Sequence, residues 1–206
     1  MKKALLLVVV LAAALGVAYL LLHKNSSSAP AEKRDVPLTV SANSSAFNRS
    51  FASMMEDYYK LSDAFADGDT AAIREKANKL SISVDSLKLN QLKADTAIIA
   101  TAVSLAQSIP GEIAGLNGET KMEQKKREFY MVSEMLYNLI RTVRYTGGTI
   151  YHMECPMAFS DSSEAYWLSA SSTIVNPYLG KNNPADKDKM PDGAKINDSI
   201  HFVLPQ

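Results

Sequence analysis

The chain has 206 residues, with 22 Lys and Arg against 22 Asp and Glu, one cysteine and three histidines. Residues 1–24 hold Lys2, Lys3 and Lys24 and no acid, which leaves 19 basic and 22 acidic residues in a mildly acidic body without a basic stripe; this excludes nucleic acid as a partner. The single cysteine, Cys155, excludes an internal disulfide, and roughly 180 residues suit one domain that buries a core without staples.

Met1-Lys2-Lys3 precedes an uncharged apolar run from Ala4 to Leu22. As a helix it spans about 28 Å, close to the hydrocarbon thickness of a bilayer. Lys2 and Lys3 favour the cytoplasmic side and send the remainder outward. Cleavage needs small residues just after the apolar core, whereas Ser27-Ser28-Ala29 lies beyond His23-Lys24. Residues 1–24 are therefore expected to be an inner-membrane signal anchor with the domain in the periplasm. The alternative is a cleaved signal and a soluble periplasmic domain. No cysteine follows the run, so a lipoprotein anchor is excluded. Residues 25–45 are polar, contain Pro30 and Pro37, and read as a tether with a reach of about 25 Å.

Four periodic stretches follow. Phe47, Phe51, Met54, Tyr58, Leu61 and Phe65 are spaced 4-3-4-3-4, the stripe of an amphipathic helix. Gly68 is placed to stop this helix and Asp69 to cap the next, whose stripe is Ile73, Ala77, Leu80, Val84 and Leu87. A third stripe runs Ile99, Ala102, Ala106, Ile109 and Ile113, and Pro110-Gly111 is expected to kink or end it. Thr120-Lys121-Met122-Glu123 has a capping-box pattern ahead of Phe129, Val132, Leu136, Leu139 and Val143, with Gly147-Gly148 as the stop. Lys125-Lys126-Arg127-Glu128 reads as a solvated helix face. The expected fold is all-α dominated: an antiparallel four-helix bundle over residues 46–147, with a short C-terminal strand/loop subdomain, 148–206, packed on it as an extension of the same domain.

The C-terminal segment carries the unusual chemistry. Thr149-Ile150-Tyr151-His152-Met153 has strand-forming residues. The single cysteine, one of three histidines and two of nine methionines fall within His152–Met157. Thiolate, thioether and imidazole are ligands that favour Cu(I) and, less selectively, Zn(II). Pro156 lies between Cys155 and Met157, so a turn there can aim both sulfurs at one point. His152 and Cys155 would face opposite sides of an ideal strand, so a shared role needs the chain to bend. The bland reading is that Cys155-Pro156-Met157 packs against the helices, with Trp167, Pro177 and Tyr178 completing the same core. A Cys/His nucleophile lacks a visible orienting group and an oxyanion turn, so no enzyme is expected.

Tyr151-His152-x-x-Cys155-Pro156-Met157-Ala158, then Trp167-Leu168-Ser169 and Asn176-Pro177-Tyr178-x-Gly180, resembles an uncharacterised domain family of Bacteroidota. That family stands alone behind a signal or anchor, or is fused to periplasmic adaptors of RND-type heavy-metal efflux systems. The resemblance covers about residues 45–200. It implies a periplasmic accessory protein that binds or hands over a soft metal, copper above all, with an efflux adaptor or pump as partner. The family continues to Met-x-x-Cys-Gly, whereas this chain has Met190-Pro191-Asp192-Gly193 after an inserted charged stretch, and no second cysteine. The expected metal ligands are Cys155, Met157, His152 and Met190. The alternative function is a non-catalytic interaction module of the envelope in which Cys155-Pro156-Met157 is structural core.

Overall fold

The computed structural model describes residues 43–181 and 194–202. The apolar segment 1–24, the tether up to residue 42 and Met190 lie outside the described residues. Four helices and a small antiparallel sheet make up the described chain, and helix dominates.

Helix α1 spans Ser45–Asp67 and begins at Ser44, whose side chain accepts a hydrogen bond from the Phe47 N–H. Phe47, Phe51, Met54, Tyr58, Leu61 and Phe65 are all buried, as their spacing predicts. The helix ends at Gly68, which adopts φ 70° and closes the last turn through its N–H. Asp69 caps α2, Thr70–Asp85, by accepting from the N–H groups of Ala71 and Ala72. Ile73, Ala77, Leu80 and Val84 form its buried face. A 3-10 turn at Leu89–Gln91 crosses to α3, and Leu87 and Leu92 on either side of it are buried.

Helix α3 spans Thr96–Gly118 and runs through Pro110 without ending there. Of the two expected outcomes, a kink or an end, the end does not occur. Proline removes one backbone hydrogen bond from the helix interior. The neighbouring turns are held by Ile109 and Ile113, both buried, and this packing carries the helix past the defect. Among the described residues α3 is long and apolar enough to cross a membrane by length and composition. It packs between α2 and α4 as a helix of the domain.

Helix α4 spans Met122–Val143. The expected capping box does not form: Lys121 is the N-cap and makes no side-chain cap bond. Glu123 instead accepts hydrogen bonds from Ser160 and Arg127. The helix stops at Arg144, in the left-handed region with φ 50°, three residues ahead of Gly147. Consecutive helices pack on one another, and Tyr58 of α1 meets Ser133 of α4 at 2.7 Å.

The sheet has the order β2-β1-β3, with β1 at Ile150–Cys155, β2 at Ala165–Ser169 and β3 at Lys195–Ile200. Both pairings are antiparallel, with Cys155 opposite Ala165 and His152 opposite Leu168 in one pair and His152 opposite Asp198 in the other. The register shifts after His152, because Met153 pairs with Ile196 and Asn197 is the extra residue of a bulge on β3. At the β2 edge the Leu168 N–H donates to the Tyr58 hydroxyl, and the Tyr166 carbonyl accepts from the Tyr178 hydroxyl. Two tyrosines thus satisfy edge groups that would otherwise seek another strand. One core runs from helices to sheet through Phe65, Phe129, Tyr178 and Trp167, whose ring centroids follow one another at 4.6, 5.9 and 6.0 Å.

Candidate functional site around His152 and Cys155

Strand alternation decides which of the expected ligands meet. β1 pairs regularly with β2 as far as Cys155, so the chain does not bend between His152 and Cys155. His152 and Glu154 share one face of the strand; Met153 and Cys155 share the other. Cys155 is fully buried within the apolar core. The chain turns only after it, at Pro156 and Met157, and Met157 is 43 % exposed. The structure therefore brings neither His152 nor the Met157 side chain into the buried environment of Cys155. Among the described residues, no group of three or more His, Cys, Asp and Glu side chains is placed to hold an ion.

His152 has a different set of partners. Its Nε2 lies 2.7 Å from the Glu134 carboxylate of α4, and its Nδ1 lies 3.2 Å from the Asn197 amide nitrogen. Asn197 is the residue that the β3 bulge inserts, and the bulge aims it at the imidazole. An amide nitrogen only donates, so a neutral His152 accepts at Nδ1 and donates from Nε2 to Glu134. The ring is stacked on both sides, with Tyr137 at 4.0 Å and 17° and Tyr166 at 4.8 Å and 13°. The Tyr137 hydroxyl donates to Asp198 at 2.7 Å and accepts from Arg141. Asp198 is held below the usual carboxylate range, chiefly by that tyrosine. The imidazole is thus the centre of a clamp between α4 and all three strands.

Residues 54–147 match the model of a family described as a protein of unknown function (DUF3347). No curated protein and no solved structure gives a significant match. The matched stretch runs from the middle of α1 through α4 and ends just ahead of β1. It is consistent with an uncharacterised domain family and carries no activity with it.

Cys155 has other neighbours on its own face. Lys126 is within electrostatic range of it, and burial pushes the Lys126 ammonium below its ordinary value. Lys126 donates to the Tyr178 carbonyl, which ties α4 to the Asn-Pro-Tyr-x-Gly segment. The Asn176 side chain accepts from the N–H groups of Tyr178 and Leu179, which shapes that turn. The solvated face expected at Lys125–Glu128 is corrected on the same evidence. Lys125 is 6 % exposed and donates to the Leu116 carbonyl in the last turn of α3, a site that favours a cation. Arg127 lies 4.1 Å over the Phe159 ring and bonds Asp161 at 2.9 Å. Asp161 is itself held down to about 2, first by the Ser163 hydroxyl and then by its N–H.

Sequence reasoning missed Glu134, Asn197, Tyr137 and Tyr166. Part of the signal was present: Tyr130, Glu134, Tyr137 and Arg141 recur at 4-3-4 spacing, a second stripe on α4 beside the apolar one. Asn197 left no local signal, because only strand pairing brings it to residue 152.

Proposed function

We propose that the chain is a membrane-anchored accessory domain of the cell envelope, in the periplasm, which works by docking on a protein partner rather than by chemistry of its own. Its helices are arranged in this reading as an antiparallel bundle that carries the sheet. The observation behind it is that the residues with chemical potential are engaged in packing: Cys155 is fully buried, and both His152 nitrogens have partners. A group held in this way organises the fold and is not offered to solvent.

A second reading keeps the soft-metal role, and one observation favours it. The Met157 thioether is exposed two residues beyond the buried sulfur. A soft cation such as Cu(I) would meet Met157 first, and Cys155 would have to leave the core to join it.

Cu(I) titration of the full-length chain in detergent, against a coloured competing chelator, separates the two. For the docking reading, Cys155→Ser, His152→Ala and Met157→Ala titrate like the parent, and Cys155→Ala loses about 1 kcal/mol of stability as a small buried side chain shrinks. Loss of one equivalent of copper in Cys155→Ser and in Met157→Ala would replace docking with metal handling.

A further inference from the structure

Two open clefts meet on one face of α1. The first, about 240 Å³, lies between Tyr59 and Asp63 on the helix and the 169–175 loop, and Trp167 also lines it. The second, about 280 Å³, lies between Met55 and Glu56 on the helix and Tyr145 with the Gly147–Gly148 turn. Tyr59 and Ala170 line both, so the two are adjacent along α1 and together are called the groove, each cleft being one half of it. Its α1 residues, Met55, Glu56, Tyr59, Ser62 and Asp63, recur at helical spacing and share one side of the helix.

The groove has a polarity. Among the described residues no Lys, Arg or His lines either half, and each half contains a carboxylate. Glu56 is already bonded to Lys60 at 2.7 Å, so its charge is countered within α1, and Met55 and Tyr145 supply apolar walls to that half. Asp63 makes no salt bridge or side-chain hydrogen bond among the described residues. Lys181, which feels its charge, is bonded to Asp67 at 2.9 Å. Val175, at 37 % exposure, lines the Asp63 half, and its neighbour Ile174 is 45 % exposed. An uncommitted carboxylate beside exposed apolar side chains is complementary to a cation carried on an apolar stem. Two adjacent clefts along one helix suit an extended chain, because an extended segment places alternate side chains on one side about 7 Å apart.

We infer that this groove receives an extended segment of a partner protein, with an Arg or Lys side chain at Asp63 and an apolar side chain in the Tyr145 half. The inference rests on the docking reading and names the chemistry of the partner. The probe is the capped pentapeptide Ac-Leu-Ser-Leu-Ser-Arg-NH2, titrated into the full-length chain in detergent. Calorimetry measures binding, and Trp167, the sole tryptophan of the chain, supplies an emission signal beside the groove.

The expected result is saturable heat with a change in Trp167 emission, weakened at least fivefold in Asp63→Asn and retained in Asp63→Glu. Replacing the peptide arginine with uncharged citrulline removes binding to a similar extent, and added salt weakens the parent interaction. No heat and no emission change, or equal binding of the citrulline peptide, or parent-like binding by Asp63→Asn, would each overturn the inference. Crosslinking of the full chain in intact cells keeps the two claims apart. A defined one-to-one partner that Asp63→Asn still binds with parent affinity removes the groove and leaves docking standing; absence of any such partner removes docking itself.

Discussion

His152 is buried yet polar, so its environment must satisfy both nitrogens or forfeit free energy. Glu134 and Asn197 do so from two different elements, at 2.7 and 3.2 Å. A hydrogen bond to a charged group contributes about 1.5–3 kcal/mol, and each aromatic stack about 0.5–1.5 kcal/mol beyond its buried area. His152→Ala removes all of these and leaves a cavity between Tyr137 and Tyr166. A loss of about 3–4 kcal/mol is expected in urea unfolding of the full-length chain. His152→Phe restores the stacking and strands Glu134 and Asn197 without their partner, so its loss should be smaller, about 2 kcal/mol. If His152→Ala unfolds within about 0.5 kcal/mol of the parent, the clamp is not structural.

Elements show where packing outweighs local preference. α3 keeps Pro110 in its interior, where proline costs about 3 kcal/mol relative to alanine. Pro110→Ala restores an N–H that can bond the Ala106 carbonyl, and Pro110 is only partly buried, so little packing is lost. This substitution should raise stability by about 1–3 kcal/mol, seen as a higher urea midpoint at unchanged slope. A lower midpoint would mean that the proline ring is itself packed into the domain. The four helices were legible because their buried residues recur every three or four positions, from Phe47–Phe65 in α1 to Phe129–Val143 in α4. β1 was legible from its strand-forming residues. β3 was not: Lys-Ile-Asn-Asp-Ser-Ile is polar and mostly exposed, as an edge strand can be, and its pairing partner lies more than 40 residues away. For the same reason the site was only half legible. His152 stood out by composition, but its partners come from α4 and from a bulge on β3. The fate of Cys155 followed from strand parity, whose effect depended on where the chain turned.

At the scale of the molecule, the helices and the sheet cannot be separated without leaving polar groups unmatched. The Leu168 N–H of β2 donates to the Tyr58 hydroxyl at 3.0 Å, Tyr58 lies 2.7 Å from the Ser133 hydroxyl, and Ser133 donates to the Phe129 carbonyl at 2.8 Å. Read in one direction, this relay gives every member a donor or an acceptor, and it joins β2, α1 and α4 inside the core. Burial pushes the Tyr58 hydroxyl well above its ordinary value, so it stays protonated and donates at any physiological pH. The family match ends at residue 147, yet Phe129 packs on Tyr178 and Tyr58 bonds Leu168, both beyond that boundary. Tyr58→Phe keeps the ring stacked on Phe129 and deletes only the shared hydroxyl. It leaves a buried N–H without an acceptor, and the expected cost is about 2–3 kcal/mol. Because one core serves both parts, helices and sheet should lose stability together, in a single transition by circular dichroism and by Trp167 emission. The Leu168 amide should exchange with deuterium faster by the same free energy. Two separated transitions in Tyr58→Phe, with the sheet melting first, would show that the helices stand without the sheet and that residues 148–202 are an appendage rather than part of the core.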